Sequence, residues 1–296
     1  MIPVLFYYAS LVADVQALIA HHDLAAAERQ IRTVEAQSGV TPEVAAAFSW
    51  LARGALQAKD YGRADVYATE TRKRCDHLLA GRKLDAERLL PTALGASIEV
   101  HAQVLAARGE LSDGVVFLEE QAKAFAGTSI VERIHKNINL LSLEGKPAPP
   151  LDVHEWLSAK PRTLAELRGH PVLLFFWAHW CGDCKADAPI LAEAIRNFAP
   201  KGLAAIAPTK LYGYAARGED AAPADEKAYI DQVWQRFYAG WNGVPVPISA
   251  ANFQVYGSST TPTIVLIDAA GIVRFYHPGA ITAAELTSRI QAVLGK

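Results

Sequence analysis

Three prolines within four residues, Pro147, Pro149 and Pro150 in "EGKPAPPLDVHEW", constrain the fold of this chain more than any other feature. Each proline fixes its own φ, lacks an N–H and pushes the preceding residue out of the helical region, so the stretch reads as an extended connector. The apolar pattern differs on its two sides. From Met1 to about Leu143, Ala, Leu, Glu, Arg and Gln dominate and apolar positions recur three or four apart, the signature of packed amphipathic helices. Beyond the connector, "PVLLFFWAHW" and "GLAAIAP" are apolar runs of strand length, and "TPTIVLIDAAGIVRFYHPG" reads as two strands joined by a turn at Ala269, Ala270 and Gly271. Helical stretches, "DEKAYIDQVWQRFYA" and "TAAELTSRIQAVLG", alternate with them. The pattern predicts two domains: an all-helical one over 1–143, and one over 144–296 in which helices cover a sheet, with a strand-to-helix corner at Cys181.

Within the helical half a short turn recurs. "HHDLAAAERQI", "AKDYGRADVYA" and "ARGELSDGVVFL" each place an acid before Leu or Tyr, with a small residue three further on. These read as junctions of helical hairpins and resemble a degenerate tetratricopeptide pattern, with the best copy around Phe48, Leu51, Tyr61 and Ala64. Such hairpins suit a protein partner or self-association; packing without any binding groove is the alternative. The segment "MIPVLFYYASLVADVQALIA" is broken by Asp14 and falls short of the roughly 20 apolar residues of a spanning helix. It reads as the apolar face of a first packed helix, or as the remnant of an export signal that starts upstream, and it leaves the compartment open.

With 296 residues, about half of them apolar, the chain can bury a core without disulfide staples. Its 29 basic and 31 acidic residues nearly cancel and form no long run of one sign, which argues against nucleic acid and anionic membranes as partners. Two of its three cysteines lie in "FFWAHWCGDCKADAP", separated only by Gly182 and Asp183. At the start of a helix, unpaired amides and the helix dipole favour a thiolate on Cys181, and Cys184, one turn on, can close a disulfide back to it. Cys181 is then the nucleophile and Cys184 the resolver. A zinc site needs about four ligands. Only Cys75 remains, and His154, His179 and His277 show no ligand spacing, so no metal and no cofactor beyond the cysteine pair is expected. A tight ring at a strand-to-helix corner also serves poorly as a chain staple. Cys75 reads as an unpaired, partly buried thiol.

"WCGDCKADAP" followed by "STTPTIVLID" resembles the thioredoxin superfamily, and the combination is similar to the TlpA/ResA-like thiol-disulfide oxidoreductases. The resemblance covers roughly Lys146 to Lys296. It implies an α/β thioredoxin fold, a central mixed sheet flanked by helices, behind the all-α hairpin domain. It also implies that Trp180 shields the pair, that Pro189 kinks the helix carrying it, and that Thr261-Pro262 is a cis-proline site whose preceding backbone pairs with a substrate strand. Protein disulfides as substrates, a thiol electron donor and an extracytoplasmic setting follow from the same likeness, with a cytoplasmic one left open by the missing export signal. TlpA-like sequences often carry Glu three residues after the second cysteine; here Asp187 stands there, on the helix face of Cys184, where a carboxylate can shuttle a proton to that thiol. The peroxiredoxin context of Pro-x-x-x-Thr-x-x-Cys is absent.

Gly182 and Asp183 tune the pair. With the Asp183 carboxylate about 6 Å from the Cys181 sulfur, repulsion is roughly 0.7 kcal/mol in water and about 2.8 kcal/mol at an effective dielectric of 20. That opposes the thiolate and favours a reducing protein, while the helix terminus, Lys185 and a protonated His179 act the other way. The segment "PTKLYGYAARGEDAAP" is long for a connection; Lys210, Tyr212, Tyr214 and Arg217 either border a substrate groove or belong to a plain surface loop. The leading expectation is a thiol-disulfide oxidoreductase. The other is an adaptor whose helical hairpins do the binding and whose thioredoxin-like half is a peptide platform.

Overall fold

The computed structural model describes residues 10–241 and 243–295. The chain divides into two compact units, Met1–Asn137 and Ile138–Lys296. The expected apolar helix face over the first twenty residues lies partly outside the described residues; from Leu11 onward it is helical, with Leu11 and Val15 buried.

In the first unit α1 (Leu11–Ala20), α2 (Leu24–Ser38), α3 (Pro42–Gln57), α4 (Tyr61–Leu79), α5 (Leu90–Ala107) and α6 (Leu111–Ala124) follow one another, and α7 (Val131–Ser142) runs through the division. The three recurring turns are helix boundaries. Asp23 and Asp60 accept the backbone N–H groups of Ala26 and Arg63, at 2.9 and 3.0 Å, and so satisfy amides that the helix itself leaves unpaired. At the third turn Glu110 precedes α6 without a side-chain cap. Small residues let the helices approach closely: Ala47, Ala52, Ala55, Ala64 and Ala68 are buried around Phe48 and Leu51.

In the second unit β2 (Val172–Phe176), β3 (Ala204–Ile206), β5 (Thr263–Ile267) and β6 (Val273–Pro278) form one sheet in the order β3-β2-β5-β6, and a short pair, β1 (Trp156–Leu157) with β4 (Val246–Pro247), stands apart. The pairing β2–β3 is parallel; β2–β5 and β5–β6 are antiparallel. Successive side chains of a strand point to opposite faces. Leu173, Phe175, Ile264 and Leu266 accordingly pack against α8 (Gly182–Phe198), α9 (Pro223–Phe237) and α11 (Ala283–Leu294). Val172, Leu174, Phe176, Val265 and Ile267 pack on the other face with Phe253 and Tyr256 of α10 (Ala250–Tyr256). This is the mixed sheet flanked by helices that a thioredoxin fold requires. The turn between β5 and β6 falls at the expected Ala269–Gly271, where Gly271 takes φ 76° and donates to the Asp268 carbonyl.

Candidate functional site

The register of β2 on β5 places Phe176 opposite Thr263, so the end of β2 and the start of β5 lie at one edge of the sheet. At that edge the chain leaves β2 through Trp177–Trp180 and enters α8 with Cys181 as its N-cap. Two anchors fix the exit: Trp177 donates its backbone N–H to the Pro208 carbonyl at 3.1 Å, and its indole N–H to the Ala207 carbonyl at 3.1 Å. The Thr209 hydroxyl donates to the Trp177 carbonyl at 2.9 Å.

Cys181 and Cys184 are joined in a disulfide. The Cys181 sulfur accepts the Cys184 backbone N–H at 3.0 Å, so it occupies the place of an N-capping acceptor, where the amides of a helix terminus stabilise negative charge. Cys181 keeps 3% of its surface and Cys184 none, which leaves Cys181 the sulfur that an incoming group can meet. Pro189 lies inside α8 and has no N–H for the Lys185 carbonyl; Trp241 donates its indole N–H to the neighbouring Ala188 carbonyl at 3.0 Å.

Asp187 is buried, and its Oδ2 accepts the Ile281 backbone N–H at 3.2 Å. Burial pushes its carboxyl above the ordinary carboxylate range, the Ile281 bond opposes this, and the charge of Asp183 adds to it. The Tyr238 hydroxyl is buried without a hydrogen-bond partner among the described residues and feels the Asp187 charge, while its ring stacks on Trp234 at 4.8 Å. Asp183 and Gly182 are exposed on the first turn of α8. Thr261-Pro262 is a cis peptide immediately before β5, with Pro262 buried and its carbonyl accepting from Gly279.

His179 is buried, and burial lowers its pKa against the opposing pull of Glu226. Its Nε2 lies 3.3 Å from Glu226 Oε1, and the rings of Tyr212, Tyr214 and Tyr229 enclose it edge-on at 5.7, 5.3 and 5.5 Å. Any positive charge on this ring is matched by a carboxylate, so it lends little to a thiolate on Cys181. Lys185 stands over the ring of Phe237 at 5.0 Å, and burial followed by the nearby Arg236 lowers its pKa. Trp180 is 49% exposed, its ring edge-on to Tyr212 at 5.5 Å.

Of the long segment from Pro208 to Pro223, Tyr212 and Tyr214 face His179, whereas Arg217 is exposed at φ 58° in the loop beyond them. Sequence reasoning missed Glu226 and Tyr238. Glu226 lies in the first turn of a helix, where an acid is common for its own sake, and nothing local marks it as buried. Cys75 is unpaired as expected, yet fully rather than partly buried. Among the described residues no group of three or more His, Cys, Asp or Glu side chains is placed to hold a metal ion, and no helix is long and apolar enough to cross a membrane.

Comparison with known proteins falls on the same half of the chain. The model of a thioredoxin-like domain matches residues 162–294. The thiol:disulfide interchange protein DsbE of Pseudomonas fluorescens biotype C is 29% identical over 154 residues, 51% of this chain and 77% of that protein. The thiol-disulfide oxidoreductase ResA of Bacillus thuringiensis strain Al Hakam is 30% identical over 151 residues, 50% of this chain and 78% of that protein. A solved thiol:disulfide interchange protein of the thioredoxin family from Chlorobium tepidum TLS is 18% identical, with a TM-score of 0.40 over 51% of this chain and 97% of that one.

Proposed function

Because this chain belongs to the thioredoxin-like thiol-disulfide oxidoreductases, we propose that it reduces disulfides in protein substrates, with Cys181 as nucleophile and Cys184 as resolver. The Cys181 thiolate attacks one sulfur of the substrate disulfide; that S–S bond breaks, and the departing sulfur leaves as a thiolate that takes up a proton. Cys184, deprotonated, attacks the Cys181 sulfur of the mixed disulfide and expels the second substrate sulfur. Two electrons have then passed to the substrate, and the Cys181–Cys184 disulfide of this structure remains. A thiol donor reverses the exchange and restores the dithiol.

The observation that carries this reading is the Cys181 sulfur at the α8 N-terminus, accepting the Cys184 amide and keeping the only exposed surface of the pair. Asp187 takes the role of proton acceptor for Cys184, supported by a burial that draws its pKa toward that of a working base. Trp180, Thr261 and Pro262 bind substrate, the Thr261 backbone pairing with an extended strand beside the disulfide. Gly182 and Asp183 set the potential. The helical residues 1–143 dock a partner or a second copy, and residues 144–296 carry the chemistry. The extracytoplasmic setting implied by the family is part of the same reading, and fractionation that finds the chain among cytosolic proteins overturns that part.

A reduction assay on a protein disulfide tests the chemistry. Cys181→Ser abolishes turnover, and Cys184→Ser accumulates a mixed disulfide that gel electrophoresis without reductant resolves. Equal activity in wild type and Cys181→Ser removes the catalytic reading. Titration against glutathione tests the direction: a potential near that of a strong oxidant overturns the reducing assignment.

A further inference from the structure

Glu226 is a fully buried carboxylate that faces the imidazole of His179. Its acceptors are filled by the 208–223 segment and by the active-site exit. Oε1 accepts the Tyr212 N–H at 2.6 Å and faces His179 Nε2 at 3.3 Å; Oε2 accepts the Gly213 N–H at 2.8 Å. Burying a carboxylate is expensive unless hydrogen bonds replace its water, and here two backbone donors and an imidazole do so. One side chain on α9 thus ties the residue two before Cys181 to the start of a long excursion.

The chain it holds reaches Trp180. Gly213, at φ 87°, turns the backbone, and beyond it Ala221 donates to the Gly213 carbonyl at 3.0 Å and Ala215 to the Glu219 carbonyl at 2.9 Å, closing a small loop. Tyr212, whose amide Glu226 fixes, presents its ring to Trp180, the residue adjoining Cys181. A half-exposed tryptophan adds little to a core, yet this one is backed by a tyrosine whose backbone is anchored to a buried charge. Rigid aromatic surface beside a reacting sulfur suits the apolar flank of an extended polypeptide, since it offers large contact area at low entropic cost.

We propose that Glu226 is a positioning residue: through Tyr212 and His179 it holds Trp180 and Tyr212 as one aromatic wall of the substrate groove, and so selects polypeptide disulfides with apolar flanks over small soluble ones. The proposal deepens the function given above and rests on it. Glu226 touches neither sulfur and takes no part in electron transfer. Its contribution is to binding, so it acts on KM for a substrate long enough to reach the wall.

The test compares two substrates on the full chain, a cystine peptide with Phe or Leu beside each cysteine and hydroxyethyl disulfide, which is too small to reach the wall. Glu226→Gln keeps the shape but turns one acceptor into a donor that faces an N–H. The ratio of kcat/KM for the peptide to that for the small disulfide is expected to fall about tenfold through KM, with the glutathione-derived potential unmoved. Tyr212→Leu, at a half-buried loop position, is expected to lower the same ratio if Glu226→Gln folds poorly. An unchanged ratio in both variants overturns the proposal, and so does an equal loss on both substrates, which would point to the sulfur chemistry or the fold. Loss of the function reading is separate: it shows as activity surviving in Cys181→Ser.

Discussion

The buried hydroxyls of the helical unit and the polar groups around the disulfide are satisfied in opposite ways. In the helical unit the buried hydroxyls of Ser49, Thr71 and Ser97 donate to carbonyls three or four residues back, at Ala46, Tyr67 and Leu94. Around the disulfide the buried polar groups join elements far apart in sequence: Thr209 to Trp177, Asp187 to Ile281, and Glu226 to Tyr212, Gly213 and His179. A local bond satisfies a side chain and specifies little. A bond between distant elements fixes their separation to a few tenths of an ångström, which chemistry at Cys181 requires and helix packing does not.

The sharpest challenge to this contrast is Trp177→Ala, which removes a fully buried ring and the indole bond to Ala207 together. It should destabilise the protein by about 3–5 kcal/mol in denaturant melts, and a loss under about 1 kcal/mol would show that the exit from β2 is held elsewhere. Next comes a matched pair. Thr209→Val, which strands the Trp177 carbonyl, should cost about 1–3 kcal/mol, whereas Ser97→Ala should cost under about 1 kcal/mol because the Leu94 carbonyl keeps its place in α5. Equal losses would break the contrast.

Asp187 gives a smaller, pH-dependent effect. Its native pKa lies above the ordinary 3.8, so the folded state binds that proton more tightly than the unfolded state does. The resulting stability is fully present below about pH 3.8 and is lost as pH rises through the raised native value. Asp187→Asn keeps an oxygen for the Ile281 N–H, so it should melt above wild type at neutral pH, with the gap closing as pH falls toward 3.8. A gap independent of pH would mean that the carboxylate is solvated. Smallest is Asp183→Asn. The side chain is exposed, so the water limit applies, and the reduction potential should rise by about 15 mV or less, further diminished by salt.

What the sequence made legible follows the range of the interactions involved. The hairpin turns at Asp23 and Asp60, the corner at Cys181 and the β5–β6 turn at Gly271 are written in a few adjacent residues. The short helix Ala250–Tyr256 and the β1–β4 pair carried no such signal, being too brief for a period to register. At the site, the cysteines stood out by spacing. His179 did not, because whether it is a surface cation or a caged ring depends on Glu226, 47 positions away. Tyr238 near Asp187 is hidden for the same reason.

Cys75 has a practical consequence. Enclosed in the helical unit, its thiol is pushed up to about 12 by burial, so it is neither ionised nor reachable at working pH. Alkylation of the native protein should therefore report the active pair alone, no label when oxidised and a label on Cys181, the sulfur with exposed surface, when reduced. A label on Cys75 appears only when the helices open. The chain carries its own counter for two separate events: peptide mapping of labelled molecules reads redox state from Cys181 and unfolding of the helical unit from Cys75.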